Sequence, residues 1–231
     1  MKTLGLIGGM SWESTAIYYR LLNEGVQRRR GGLHSAKLLL HSVDFAEIAA
    51  RQAAADWEAL TGMMVEAAQR LARGGADALV ICTNTMHKCA PAIAQAVALP
   101  IVHIADATAA AIKLSTARRP GLIATRYTMQ QDFYRGHLRE RHGIETLVPD
   151  ETGRDRVHGI IYEELCRGLV REESKAACLG EVAALQARGA DGLILGCTEI
   201  CMLLSQADFA MPVFDTTAIH AEAALDFALA V

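Results

Sequence analysis

The chain carries one segment twice. Gly75-Ala76-Asp77-Ala78-Leu79-Val80-Ile81-Cys82-Thr83-Asn84-Thr85 aligns without a gap on Gly189-Ala190-Asp191-Gly192-Leu193-Ile194-Leu195-Gly196-Cys197-Thr198-Glu199, an offset of 114 in a chain of 231 residues. Each copy reads as a helix end, a glycine turn, a buried strand and then a polar cluster. Two further pairs stand in the same order. Gly5-Leu6-Ile7-Gly8-Gly9 matches Gly121-Leu122-Ile123-Ala124-Thr125 at an offset of 116, and Leu99-Pro100-Ile101-Val102 matches Met211-Pro212-Val213-Phe214 at 112. Matches at nearly constant spacing imply duplicated lobes rather than chance similarity of strands. We expect a first lobe of residues 1–98 plus 208–231 and a second of 99–207, with the C-terminal tail crossing back to complete the first.

Strand-length apolar runs alternate with helix-length amphipathic stretches. Strands are expected at 3–8, 37–42, 78–82, 101–104, 121–124, 145–148, 192–196 and 213–215. Helices are expected at 14–27, 54–73, 88–96, 105–115, 127–142, 154–168, 172–188 and 217–230. This alternation predicts an α/β fold of βαβ units with parallel sheets flanked by helices. Uniformly apolar strands such as Leu79-Val80-Ile81 fit sheets covered on both faces.

A hydrophobic content of 52% over this length can bury a sizeable core. The net charge of −3 and the absence of any basic block longer than Arg28-Arg29-Arg30 argue against nucleic acid as a partner. No apolar run reaches the roughly 18–20 residues of a membrane span. The chain enters a strand pattern at Thr3 with no signal-peptide layout, so a cytoplasmic protein is expected. The six cysteines form no CxxC pair, so most should be free buried thiols, and no ligand spacing suggests a metal.

In parallel α/β sheets ligands gather at the carboxyl ends of strands. Four such ends carry polar or flexible residues: Gly8-Gly9-Met10-Ser11, Cys82-Thr83-Asn84-Thr85-Met86-His87, Thr125-Arg126-Tyr127-Thr128 and Gly196-Cys197-Thr198-Glu199. The Gly8-Gly9 turn allows close backbone approach, with a helix start beside it that would favour an anion. Asn84 and Thr85 could hold a carboxylate or an amino group. Alternation along a strand should turn Cys82 and Thr83 to opposite faces. Gly196 should leave room beside the backbone. Cys197, at a strand end just before a helix, should have a lowered thiol pKa.

Gly5-Leu6-Ile7-Gly8-Gly9-Met10, Cys82-Thr83-Asn84-Thr85-Met86-His87 and Gly196-Cys197-Thr198-Glu199 together resemble the signatures of the aspartate/glutamate racemase family, enzymes that work without pyridoxal phosphate. The resemblance spans nearly the whole chain. It implies two pseudo-symmetric α/β lobes with the active site in the inter-lobe cleft, usually in a homodimer. It also implies an isomerase without cofactor or metal, acting on a small amino-acid substrate through two groups on opposite faces of the α-carbon. The site it implies comprises Thr83 and Cys197 as the catalytic pair. Met10, Gln52, Asn84, Thr85, Thr125, Thr198 and Glu199 would bind substrate.

The family's first cysteine immediately precedes Asn-Thr, and here that position is Thr83. The Thr/Cys pairing is similar to an L-aspartate/glutamate-specific subgroup credited with broader amino-acid racemase activity. Ile48 and Cys166 stand where archetypal aspartate racemases have an Arg and a Lys, with Gln52 and Arg167 the closest polar substitutes. A maleate isomerase, a hydantoin racemase, or a non-catalytic amino-acid-binding protein are the competing readings.

Overall fold

The computed structural model describes residues 1–230, and the chain divides into two compact units: Met1–His103 with the residues from His220 onward, and Ile104–Ile219.

The first unit runs β1 (Leu4–Gly8), α1 (Trp12–Arg30), β2 (Leu38–Ser42), α2 (Phe45–Ala53), α3 (Trp57–Arg73), β3 (Ala78–Ile81), α4 (Ala90–Ala96) and β4 (Ile101–Val102). Its strands form a parallel sheet of order β2-β1-β3-β4. Both faces are covered. Leu79 and Ile81 of β3 pack with Leu60, Met64 and Ile93, while Ala78, Val80 and Cys82 pack with Tyr18, Leu22 and Leu225. Alternate side chains feeding two apolar clusters explain the uninterrupted hydrophobic run.

The second unit runs α5 (Ile104–Lys113), β5 (Gly121–Ile123), α6 (Arg126–Gln130), α7 (Asp132–His142), α8 (Glu151–Gly159), α9 (Glu172–Ala187), β6 (Leu193–Leu195) and β7 (Val213–Asp215). Its sheet has the parallel order β5-β6-β7. Helix α10 (Thr216–Leu229) closes the chain.

Duplication extends to atomic detail. Gly75 and Gly189 turn into β3 and β6 at φ of 92° and 93°, a backbone region that side chains disfavour. Ala76 N–H donates to the Leu71 carbonyl at 3.1 Å, and Ala190 N–H to the Leu185 carbonyl at 3.0 Å. Asp77 accepts from Thr3 N–H at 2.6 Å, and Asp191 accepts from Arg118 and Arg119 N–H at 2.7 and 2.8 Å. Ser11 caps α1 through Ser14 N–H, and Thr125 caps α6 through Thr128 N–H, both at 3.4 Å. Tyr18 O–H meets His220 Nδ1 at 2.8 Å, and Tyr134 O–H donates to Thr108 Oγ1 at 3.3 Å.

Several boundaries differ from the expectation. Residues 99–103 belong with the first unit, because Ile101 and Val102 pair with Leu79 and Val80. Residues 208–219 belong with the second, because Val213–Asp215 pairs with Leu193–Leu195; only the chain from His220 onward returns to the first unit. The expected strand at 145–148 is a single bridge, Leu147 to Gly121, since Pro120 has no N–H and Pro149 ends the run. Helix α2 was not anticipated; Asp44 caps it by accepting Ala46 N–H at 3.0 Å. The expected helix at 154–168 begins earlier as α8 and passes into a π-helical stretch, Ile160–Glu164.

Candidate active site

In the first unit β3 ends at Ile81, and Thr83 N–H donates back to the Ile81 carbonyl at 2.8 Å. That tight reversal ends strand geometry at once. The Thr83 carbonyl accepts from His87 Nδ1 at 2.7 Å, and Thr83 remains 8% exposed. Thr85 opens a single 3₁₀ turn, Thr85–Cys89, and Asn84 before it makes no side-chain cap to that turn. His87 sits edge-on to His103 and His220, with ring centroids 4.6 and 5.6 Å away.

Cys82 is fully buried, its thiol 3.8 Å from the Val80 carbonyl, in the cluster containing Tyr18 and Leu225. Burial pushes the thiol pKa up. Met10 lies in the other apolar cluster with Ile48 and Met86. Gln52, buried on α2, donates from Nε2 to Met86 Sδ at 3.3 Å. The Gly8-Gly9 turn does bring backbones close, but to its own chain. A Cβ on Gly9 would lie 2.3 Å from the Val43 carbonyl oxygen, and one on Gly8 would lie 2.5 Å from Thr15 Cγ2.

In the second unit Gly196 N–H donates to the Ile123 carbonyl at 2.8 Å and carries the chain out of β6. A Cβ there would lie 2.5 Å from Leu122 Cδ1, so the room this glycine leaves beside its backbone is taken up by a leucine of the core. The Cys197 thiol donates to Glu199 Oε2 at 3.0 Å, and Thr198 O–H donates to the same oxygen at 2.7 Å. Cys197 and Glu199 are 6% and 4% exposed.

The expected lowering of the Cys197 pKa is reversed. Burial and then the Glu199 carboxylate push it well above the ordinary thiol value. The helix meant to lower it is only a 3₁₀ turn, Ile200–Met202, too short for aligned dipoles to outweigh an adjacent carboxylate. Cys201, on that turn, donates to the Cys197 carbonyl at 3.8 Å.

Thr125 is buried at the α6 cap, its Oγ1 3.2 Å from Thr128 Oγ1. Arg126 points outward into an ion pair with Asp155 at 3.1 Å. Sequence reasoning missed an aromatic row beside it: Tyr127, His158 and Tyr162, with centroid separations of 5.4 and 4.6 Å. His158 is held neutral at a pKa of about 4, by burial and then by Arg126. Burial, then Tyr127, Cys197, Cys166 and Glu199, push the Tyr162 phenol up. The i, i+4 spacing of His158 and Tyr162 was the available signal. Cys166 is half-buried and Arg167 exposed. The structure thus groups Thr83, Asn84 and Thr85 in the first unit, and Thr125, Cys197, Thr198 and Glu199 in the second.

A two-unit α/β protein with polar clusters at the ends of equivalent central strands defines a class that the comparisons identify. The Asp/Glu/hydantoin racemase family matches residues 7–224, and the chain belongs to that family. A candidate Asp/Glu racemase from Yersinia pestis is 55% identical, with a TM-score of 0.91 over 99% of this chain and 100% of that one. An aspartate racemase homologue from Pyrococcus horikoshii OT3 is 32% identical, with a TM-score of 0.81 over 99% of each chain. An aspartate racemase from Picrophilus torridus, 21% identical, shares the fold with a TM-score of 0.72 over 98% of this chain and 94% of that one. Among the described residues no helix is long and apolar enough to cross a membrane.

Proposed function

We infer that the protein is a cofactor-independent amino-acid racemase of the aspartate/glutamate type, with Cys197 and Thr83 acting on opposite faces of the substrate α-carbon. The observation that carries this reading is the hydrogen bond from the Cys197 thiol to Glu199. A thiol whose pKa is raised is a poor base while it rests. A buried carboxylate 3.0 Å away supplies the missing acceptor. In the forward step the thiol proton passes to Glu199 and the thiolate takes the α-proton, which re-forms the thiol. A water held by the Thr83 hydroxyl gives a proton to the other face, and the hydroxide left is neutralised by the proton that Glu199 releases to solvent. Thr198 O–H, already bonded to Glu199, steadies that carboxylate while its charge changes.

The α-proton is far less acidic than any side chain. Developing enolate charge on the substrate carboxylate therefore needs donors fixed in advance. Asn84, Thr85, Thr125 and Thr198 supply amide and hydroxyl groups suited to that role, and Gln52 is a polar group for the substrate side chain. A homodimeric assembly, as the family resemblance implies, completes this reading.

Proton NMR of L- and D-amino acids in D2O tests the reading. The α-proton signal should disappear with the enzyme present, unaffected by chelator or by removal of pyridoxal phosphate. Parallel incubations with maleate and 5-substituted hydantoins separate the related isomerases. Ligand binding without α-exchange would make the protein a binder and end the racemase reading.

A further inference from the structure

The second unit contains a cavity of about 380 Å³ bordered by none of the candidate active-site residues. Its walls come from Val148, Pro149 and Asp150, from Arg154 on α8, and from Glu181 and Arg188 on and just beyond α9. Two guanidinium groups border it. Arg154 Nη1 donates to the Pro149 carbonyl at 2.9 Å, and Arg188 Nη1 to the Val148 carbonyl at 2.8 Å. Each bond uses one of five N–H donors while holding the planar head in place. Among the described residues neither arginine has an ion-pair partner. Arg154 Nε is buried with no hydrogen-bond partner, an arrangement that costs free energy unless an acceptor arrives.

The acidic groups at the cavity are already engaged. Glu181 accepts from Arg156 Nη1 at 2.5 Å, and Asp150 caps α8 through Gly153 N–H at 2.8 Å. Two arginines therefore face one carboxylate that lacks a cationic partner, and the cavity carries a positive balance.

We propose that this cavity binds a small oxyanion, of the phosphate or compact dicarboxylate class, between Arg154 and Arg188. The carbonyl contacts orient both guanidiniums beforehand, so less side-chain entropy is lost when the anion enters.

The test is titration calorimetry of the full chain with inorganic phosphate and, separately, malonate, at constant ionic strength set by chloride. Wild type should bind at least one of the two anions saturably, and which one it takes separates the two classes. Arg154→Gln/Arg188→Gln should weaken binding by about tenfold or more, as expected for lost charge-assisted hydrogen bonds. Arg73→Gln, an exposed arginine on α3, should bind as wild type. Arg188→Gln alone, at an exposed position, serves if the double variant does not fold, and should also weaken binding. No saturable binding of either anion in wild type, or unchanged affinity in Arg188→Gln, would overturn the proposal. Activity is not read, so the outcome is separate from that of the racemase reading.

Discussion

The Cys197 thiol donates to Glu199 Oε2 at 3.0 Å, and the carboxylate that raises its pKa is also the nearest group able to accept its proton. Glu199→Gln separates these effects. Without the negative neighbour the Cys197 pKa should move down toward 9.0, so thiolate forms at lower pH. Without the acceptor, α-proton exchange should fall, by about 10²–10⁴-fold for loss of a general base. Peptide-resolved alkylation of Cys197 against pH, beside exchange rates, checks both. An unchanged alkylation profile would refute the coupling.

Cys197→Ala should abolish α-exchange, whereas Cys82→Ala should leave most of it. Cys82 lies in the cluster with Tyr18 and Leu225, so its truncation should lower stability by about 1 kcal/mol through lost packing. Denaturant unfolding and exchange rates measure the two effects. Equal damage to exchange from both variants, with the fold intact, would shift the first base from Thr83 to Cys82.

The family resemblance implies that Cys197 is the base for the L form and that Thr83 handles the opposite face, so Thr83→Cys should raise activity on the D-enantiomer most. A hydroxyl is a poor proton acceptor, so the wild type should exchange the α-proton of an L-substrate faster than it completes inversion. The comparison is kcat/KM for both enantiomers of one amino acid, with a gain of up to about 10²-fold on the D side for a well-placed thiol. No gain in a folded variant would remove Thr83 from the proton path.

His220 should make the first unit sensitive to acid. It is buried between the Tyr18 hydroxyl and the Val102 carbonyl, edge-on to His87, and burial lowers its pKa from 6.5 to about 4. Because the unfolded chain takes up this proton first, the contribution is complete above pH 6.5. It is lost as pH falls toward about 4, and is on the order of 3 kcal/mol. Urea unfolding at several pH values should show His220→Asn less stable at neutrality but with a shallower loss across that window. A slope matching wild type would show that His220 does not titrate there.

The duplication was legible because it is written in residue types. Gly75 and Gly189 need positive φ, Asp77 and Asp191 accept neighbouring backbone N–H groups, and the apolar runs of β3 and β6 need two covered faces. Strand alternation groups Cys82 with Ala78 and Val80, and Cys82 does lie with them in the α1 and α10 core. Helix α2 was harder to read because it is short: nine residues, of which only Ile48 and Gln52 are buried, leave little periodicity to follow.

Sequence by itself determined the two α/β repeats, their parallel strands and the family, because periodicity and glycine chemistry are local. Tertiary structure alone decided where the units divide and what state Cys197 rests in. Which sheet takes Ile101–Val102 or Val213–Asp215 depends on long-range pairing that equally apolar strands do not encode. The thiol's pKa depends on burial and on a carboxylate folded back to 3.0 Å, and both arise only once the chain has packed around them.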